Sequence, residues 1–135
     1  MPPKLAEIVE EFALYDRSDR LTALVEIGER FVNPSADDVP REPGRRVPGC
    51  ESEVFVRWDA SETPRLRFAV DNPQGISAMA MAEILREGTE GADREAILAI
   101  PDQLAESFFG RELSMGKSMG LANMVRALKH AVANG

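Results

Sequence analysis

The sequence predicts an α+β domain, a small antiparallel sheet packed against several helices. Three observations carry that prediction. Apolar residues recur at helical spacing from Leu5 to Phe31, two short segments between 53 and 70 alternate apolar with polar, and the chain from Leu121 onward returns to a long helical stripe. At 135 residues it fits one domain, 1–135, large enough to bury a core unaided.

Each element has its own signal. After Pro2 and Pro3, the run Leu5, Ile8, Val9, Phe12 and Ala13 forms one face of a first helix, which Tyr15 to Ser18 interrupts. Ser18 or Asp19 is expected to cap a second helix that buries Leu21, Leu24, Val25, Ile27 and Phe31 and ends at Asn33-Pro34. Residues 33–44 contain three prolines and no apolar period, so they read as a mobile surface loop. A strand follows from Glu53 to Trp58, with Val54, Val56 and Trp58 on one side and Glu53, Phe55 and Arg57 on the other. The turn Asp59 to Pro64 leads into a second strand, Arg65 to Val70, making an antiparallel hairpin. Two strands alone are marginal, so helices must cover one face.

Beyond the turn-rich Asp71 to Gly75, residues Ile76, Met79, Ala80, Ile84 and Leu85 predict a short helix closed by Gly88. Asp93 is placed to cap the next, in which Ile97, Leu98 and Ile100 run into Pro101. Leu104, Phe108 and Phe109 make a short amphipathic turn up to Gly110. The final helix is the clearest, with Leu121, Met124, Val125, Leu128, Ala131 and Val132 on one stripe and Arg126, Lys129 and His130 toward its C-terminal end, where cations suit the dipole.

Charge and cysteine usage narrow the function. Sixteen Lys and Arg stand against 23 Asp and Glu, a net charge of −7, which disfavours nonspecific binding to nucleic acid or an anionic membrane. Residues 44–70 depart from that balance with five arginines against four acids. A single cysteine makes no intrachain disulfide, and no leader-like or long apolar segment is visible, so a cytoplasmic protein is expected.

That cysteine, Cys50, follows Pro48-Gly49 and precedes the first strand, which puts the thiol at a bend between loop and strand. Arg45 or Arg46, if near, would favour its thiolate, whereas Glu51 and Glu53 would not. The residues alone are equally compatible with a buried structural thiol and with a reactive one.

The segment Val47-Pro48-Gly49-Cys50-Glu51-Ser52-Glu53-Val54-Phe55 resembles the GCxSxV signature of the SufE family. A second block, Leu113, Ser114, Lys117, Gly120 and Leu121, is similar to that family's block at the start of its last helix, with Lys117 where the family carries arginine. Ala78-Met79 stands where the family often has Lys-Gly. The resemblance spans nearly the whole chain and implies a SufE/IscU-like fold with a third strand. It also implies a function: Cys50 accepts sulfur from the persulfide of a pyridoxal-phosphate-dependent cysteine desulfurase (SufS-like), stimulates that enzyme, and passes the sulfur to an iron–sulfur scaffold complex (SufBCD-like). No cofactor or metal of its own is implied. Gly49 would permit the bend, Ser52 would bond the loop backbone, and Glu51 and Lys117 would support the loop or meet the partner. The Pro-Gly bend after the long 33–44 loop would supply the thiol's reach.

Other constellations are weaker. Gly116-Lys117-Ser118 resembles the end of a phosphate-binding loop, but the glycine that motif needs at 111 is Arg111. His130 is alone, so a solvated or capping role fits it better than metal binding or base catalysis. Asp37-Asp38 reads as solvated acid. The methionines read as core filler, with Met115 and Met119 placed to face a partner. An iron–sulfur scaffold needs more thiolates or histidines than one of each, and a thiol redox protein needs an exposed, acidic cysteine. A desulfurase-binding activator that carries no sulfur is the remaining alternative.

Overall fold

A computed structural model describes residues 1–72, 74–110 and 115–135, with the backbone alone at Met115. Its described elements are α1 (Pro3–Ala13), α2 (Arg17–Arg30), a 3-10 turn (Pro43–Arg45), β1 (Val54–Trp58), β2 (Leu66–Val70), α3 (Ile76–Gly88), α4 (Arg94–Leu98), α5 (Glu106–Phe109) and α6 (Met115–Asn134). The α+β reading holds.

Strands β1 and β2 pair antiparallel, Val54 opposite Val70 and Trp58 opposite Leu66. Among the described residues the expected third strand is reduced to an isolated bridge between Arg46 and Phe55, reinforced by the Val47 amide donating to the Val54 carbonyl at 2.7 Å. Helix α3 packs on β2 and also against α1 and α2, while α6 packs on β1 and against α4. Val54, Val56, Leu66, Phe68 and Val70 thus share one core with Met81, Leu85, Met124 and Leu128. Phe108, fully buried, meets Phe12 edge-on with ring centroids 5.1 Å apart, a contact adding about 0.5–1.5 kcal/mol beyond burial.

The second sheet face is not open. Phe55 and Ala69 are buried under Val39, which the 33–44 segment delivers. That segment, expected to be a mobile loop, is strapped down instead. Arg41 donates Nε to Asp71 Oδ2 at 2.9 Å and Nη2 to Asp71 Oδ1 at 3.0 Å, and also donates to the carbonyls of Pro34, Ser35 and Val39. Asn33 accepts from the Val70 amide and donates to Asp71. A guanidinium fork serves a carboxylate and three carbonyls at once because its donors lie in one plane.

Helix α2 departs from expectation in two ways. Its cap is Asp16, whose side chain accepts from the Asp19 amide, rather than Ser18 or Asp19. Its buried face is Leu24, Ile27 and Gly28, and Leu21 and Val25 are exposed at 56% and 45%. Likewise Ile76, placed on the apolar face of α3, is 51% exposed, while Ala78, Ala80, Met81, Ala82, Ile84 and Leu85 are buried. Asp93 caps α4 as expected, accepting from the Ala96 amide. No helix among the described residues is long and apolar enough to cross a membrane.

Candidate functional site

The 48–53 loop rises between two fixed points, the Val47–Val54 hydrogen bond at its base and the N-terminal half of α6 above it. Gly49 takes φ +76°, a left-handed conformation that side-chain-bearing residues resist, so the turn into Cys50 needs glycine there. Gly120 in α6 answers it. A Cβ at position 120 would stand 3.0 Å from the Gly49 carbonyl oxygen and 3.1 Å from the Cys50 Cα. Only a bare helix face admits the loop this closely.

Cys50 lies half-buried against that face, its thiol donating to the Gly120 carbonyl at 3.4 Å. Burial pushes the thiol up to about 11, against a smaller lowering pull from the Arg46 guanidinium. At rest the group is therefore a protonated thiol, because desolvation penalises the anion more than one nearby cation rewards it. A pocket of about 120 Å³ opens beside it, walled by Glu51, Ser52, Ile76, Ala78, Lys117 and Gly120.

A tether holds the loop from its other side. Asn123 donates Nδ2 to the Pro48 carbonyl at 2.8 Å, and Arg126 Nη1 donates to Asn123 Oδ1 at 2.8 Å. Arg126 Nε in turn reaches Asp102 Oδ2 at 3.1 Å, and Lys129 Nζ lies 2.6 Å from Asp102 Oδ1. Lys129, and then Arg126, hold the Asp102 carboxyl below the usual carboxylate range.

Residues 6–132 match SufE, the Fe-S metabolism associated domain. The chain belongs to the SufE family. It is also similar to an uncharacterized SufE-like protein found in two strains of Mycobacterium tuberculosis, 29% identical over 149 aligned positions that cover 97% of this chain and 95% of that one. The solution structure of a hypothetical protein from Thermus thermophilus matches with a TM-score of 0.78 at 27% identity, covering 99% of this chain and 96% of that chain.

Against the SufE signature, the residues singled out in the sequence gather around one pocket, with differing roles. Ser52 is buried and accepts from Asn72 Nδ2 at 3.2 Å, bonding a side chain where loop backbone was expected. Glu51 is exposed, its Oε1 3.8 Å from where a Cβ at Gly116 would sit, which sets a carboxylate beside the first turn of α6. Lys117 is exposed on the same rim. Ala78, where SufE proteins often carry lysine, forms part of the wall. Leu113, Ser114 and Arg111 lie outside the described residues, as does the Met115 side chain.

Of the apolar residues flanking the thiol, Val47 and Val54 are core, whereas Pro48 is exposed. What covers Cys50 is α6. His130 is exposed near the end of that helix, and among the described residues no three histidine, cysteine or acidic side chains gather to hold a metal. Asn123 and Asn72 were not singled out in the sequence. Asn123 left one signal, a poor helix former in the middle of a long helix.

Proposed function

We propose that this protein is a sulfur acceptor for a pyridoxal-phosphate-dependent cysteine desulfurase of the SufS type, working in the cytoplasm as one domain, and that Cys50 carries the sulfur. The thiolate of Cys50 attacks the terminal sulfur of the desulfurase's cysteine persulfide. One S–S bond forms, the donor's S–S bond breaks, and the desulfurase thiolate leaves with that electron pair. The proton lost by Cys50 is balanced by protonation of the leaving thiolate or of the new persulfide. Sulfur moves with no net oxidation, as in thiol–disulfide exchange, so the step calls on no cofactor of this chain. The persulfide on Cys50 then passes to an iron–sulfur scaffold complex of the SufBCD type, and removal of product sulfur stimulates the desulfurase.

The observation that carries this reading is the sole cysteine at the tip of a short loop that rests on a bare helix face, in a family associated with Fe-S metabolism. A thiol protonated and half-covered at rest resists oxidation. Leaving α6 for a partner's active site removes the desolvation that keeps it neutral, so reactivity is coupled to engagement. Exposed Ile76 beside the pocket and exposed Met119 next to Gly120 offer apolar contact around the thiol. Gly49 supplies the bend, Ser52 fixes the loop's exit, and Glu51 and Lys117 meet the partner at the rim.

Intact-mass analysis after incubation with desulfurase and cysteine tests this. Wild type is expected to gain sulfur in steps of one atom, and Cys50→Ser none. If wild type stimulates the desulfurase yet gains no sulfur, the domain is a binding activator instead.

A further inference from the structure

The Cys50 loop has a second flank. Beyond Pro48 an open groove of about 740 Å³ runs between the 42–48 segment, Trp58 and the outer side of α6. Arg45, Arg46, Arg126 and His130 line it, with Glu42 as the one acid on its wall among the described residues. Such a concentration stands out in a chain of net charge −7. Between the basic groups the groove offers Trp58, Ala127 and Ala131 as apolar floor.

Two of the cations are poorly used within the fold. The Arg46 side chain is exposed and makes no hydrogen bond or ion pair among the described residues. Arg45 approaches Glu42 only to 3.6 Å, and its Nε is buried without a hydrogen bond among the described residues. Arg126 is engaged with Asn123 and Asp102, yet it also faces the groove.

We propose that this groove receives an acidic, extended segment of the desulfurase that delivers sulfur to Cys50. The inference rests on the sulfur-acceptor reading. An open trough with cations along its edges and an apolar floor suits a peptide that carries carboxylates and small apolar side chains, and the lack of enclosure is poorly suited to a small anion. The position adds a consequence. Pro48 lines the groove, its carbonyl is held by Asn123, and Asn123 is held by Arg126. A carboxylate that draws Arg126 toward the groove competes with Asn123 Oδ1 and weakens the tether, so docking helps to release the thiol.

The test is calorimetric binding of the pyridoxal-phosphate-loaded desulfurase to wild type and to the double variant Arg45→Glu/His130→Glu, neither residue being part of the thiol pocket. Loading of Cys50 by inorganic tetrasulfide, read by intact mass, runs in parallel as a reactivity and folding control. The variant is expected to bind about tenfold more weakly, and wild-type affinity to fall several-fold between about 0.05 and 0.3 M salt, with tetrasulfide loading changed less than about twofold. Equal affinities for wild type and variant, or affinity insensitive to salt, overturn the groove while sulfur transfer to Cys50 stands. Displacement of the desulfurase by about 10 mM inorganic phosphate would mark a small-anion site and also overturns it. A wild type that does not bind desulfurase overturns both readings, and one that binds in the predicted salt-dependent way without gaining sulfur overturns the acceptor reading alone.

Discussion

Asn123 holds the Pro48 carbonyl at 2.8 Å, so a side chain from the middle of α6 grips the cysteine loop two residues before the thiol. Removing it separates loop restraint from fold. Asn123→Ala should speed alkylation of Cys50 several-fold in the free protein, at a stability cost of about 0.5–1.5 kcal/mol for one hydrogen bond. Timed alkylation alongside a denaturant melt checks both, and an unchanged labelling rate would remove the tether from the account.

Gly120→Ala sets two effects against each other. Alanine favours an interior helix position over glycine by about 1 kcal/mol, but its methyl would crowd the Gly49 carbonyl and the Cys50 backbone. The loop is the softer partner, so it should yield. The expected result is little change in melting temperature together with faster thiol labelling, and slower labelling would mean that the loop had instead closed down.

The pH dependence of Cys50 alkylation follows from its raised pKa. The thiolate reacts, and with the group pushed up to about 11 from an ordinary 9.0 the rate should still be climbing above pH 9. Arg46→Ala removes the one pull toward the anion and should lower the rate at any pH below that range. The linkage has a definite sign. The folded state holds its proton more tightly than the unfolded chain, so this group's contribution to stability is fully present below pH 9.0 and is lost as pH rises through about 11. A reactivity profile with a plateau near neutral pH would contradict this.

Lys117 sits on the pocket rim where the SufE family usually carries arginine. Lys117→Ala should reduce sulfur acceptance from desulfurase several-fold while shifting stability by no more than about 0.5 kcal/mol, as exposed substitutions generally do. Lys117→Arg should retain acceptance and slow Cys50 labelling in the free protein, since a planar multi-donor group holds backbone carbonyls more firmly than an ammonium. Single-turnover transfer and labelling rates measure these together.

Arg41→Ala should destabilise the fold by about 1–3 kcal/mol, because its hydrogen bonds to a carboxylate and three carbonyls are lost at once. Hydrogen bonds from Arg41, and then from Asn33, hold the Asp71 carboxyl below its ordinary 3.8, so this contribution is present above that pH and is lost as pH falls through the lowered value. Cys50 labelling should not change. Thermal melts between pH 7 and about 3 and a labelling assay decide it.

What the sequence made legible and what it hid divide along range. Asp93, the hairpin, and the stripe of Leu121, Met124, Val125 and Leu128 are local patterns, and they hold because period and capping act within a few residues. The cap of α2 slipped because Asp16, Ser18 and Asp19 are all competent N-caps within one turn, and only the folded helix chooses between them. Leu21 and Val25 obey the helical period but face away from the core, since periodicity defines a stripe without fixing its width. Phe55 read as the outer face of a hairpin because its cover, Val39, comes from a proline-rich stretch with no period. The site followed the same rule. Cys50 and Gly49 stood out by residue type, while Asn123 and Arg126 act on the loop across some seventy positions of sequence that no local pattern spans.

The Val47–Val54 hydrogen bond sets a stroke length. With the 33–44 segment strapped by Arg41 and the chain clamped where Val47 meets Val54, the part left to move in the proposed transfer is not the long loop but residues 48–53, with Cys50 three residues from the Val47 anchor. Three residues fully extended span about 10 Å, so under the proposed function the thiol reaches no farther than about that from its anchor. A donor cysteine recessed deeper than this beneath its own surface could never be met by the 48–53 loop alone. Under the proposed function, the pairing of acceptor and donor is thus gauged by depth as well as by contact, and lengthening the 48–53 loop by one glycine would widen the set of enzymes it can serve while blunting its choice among them.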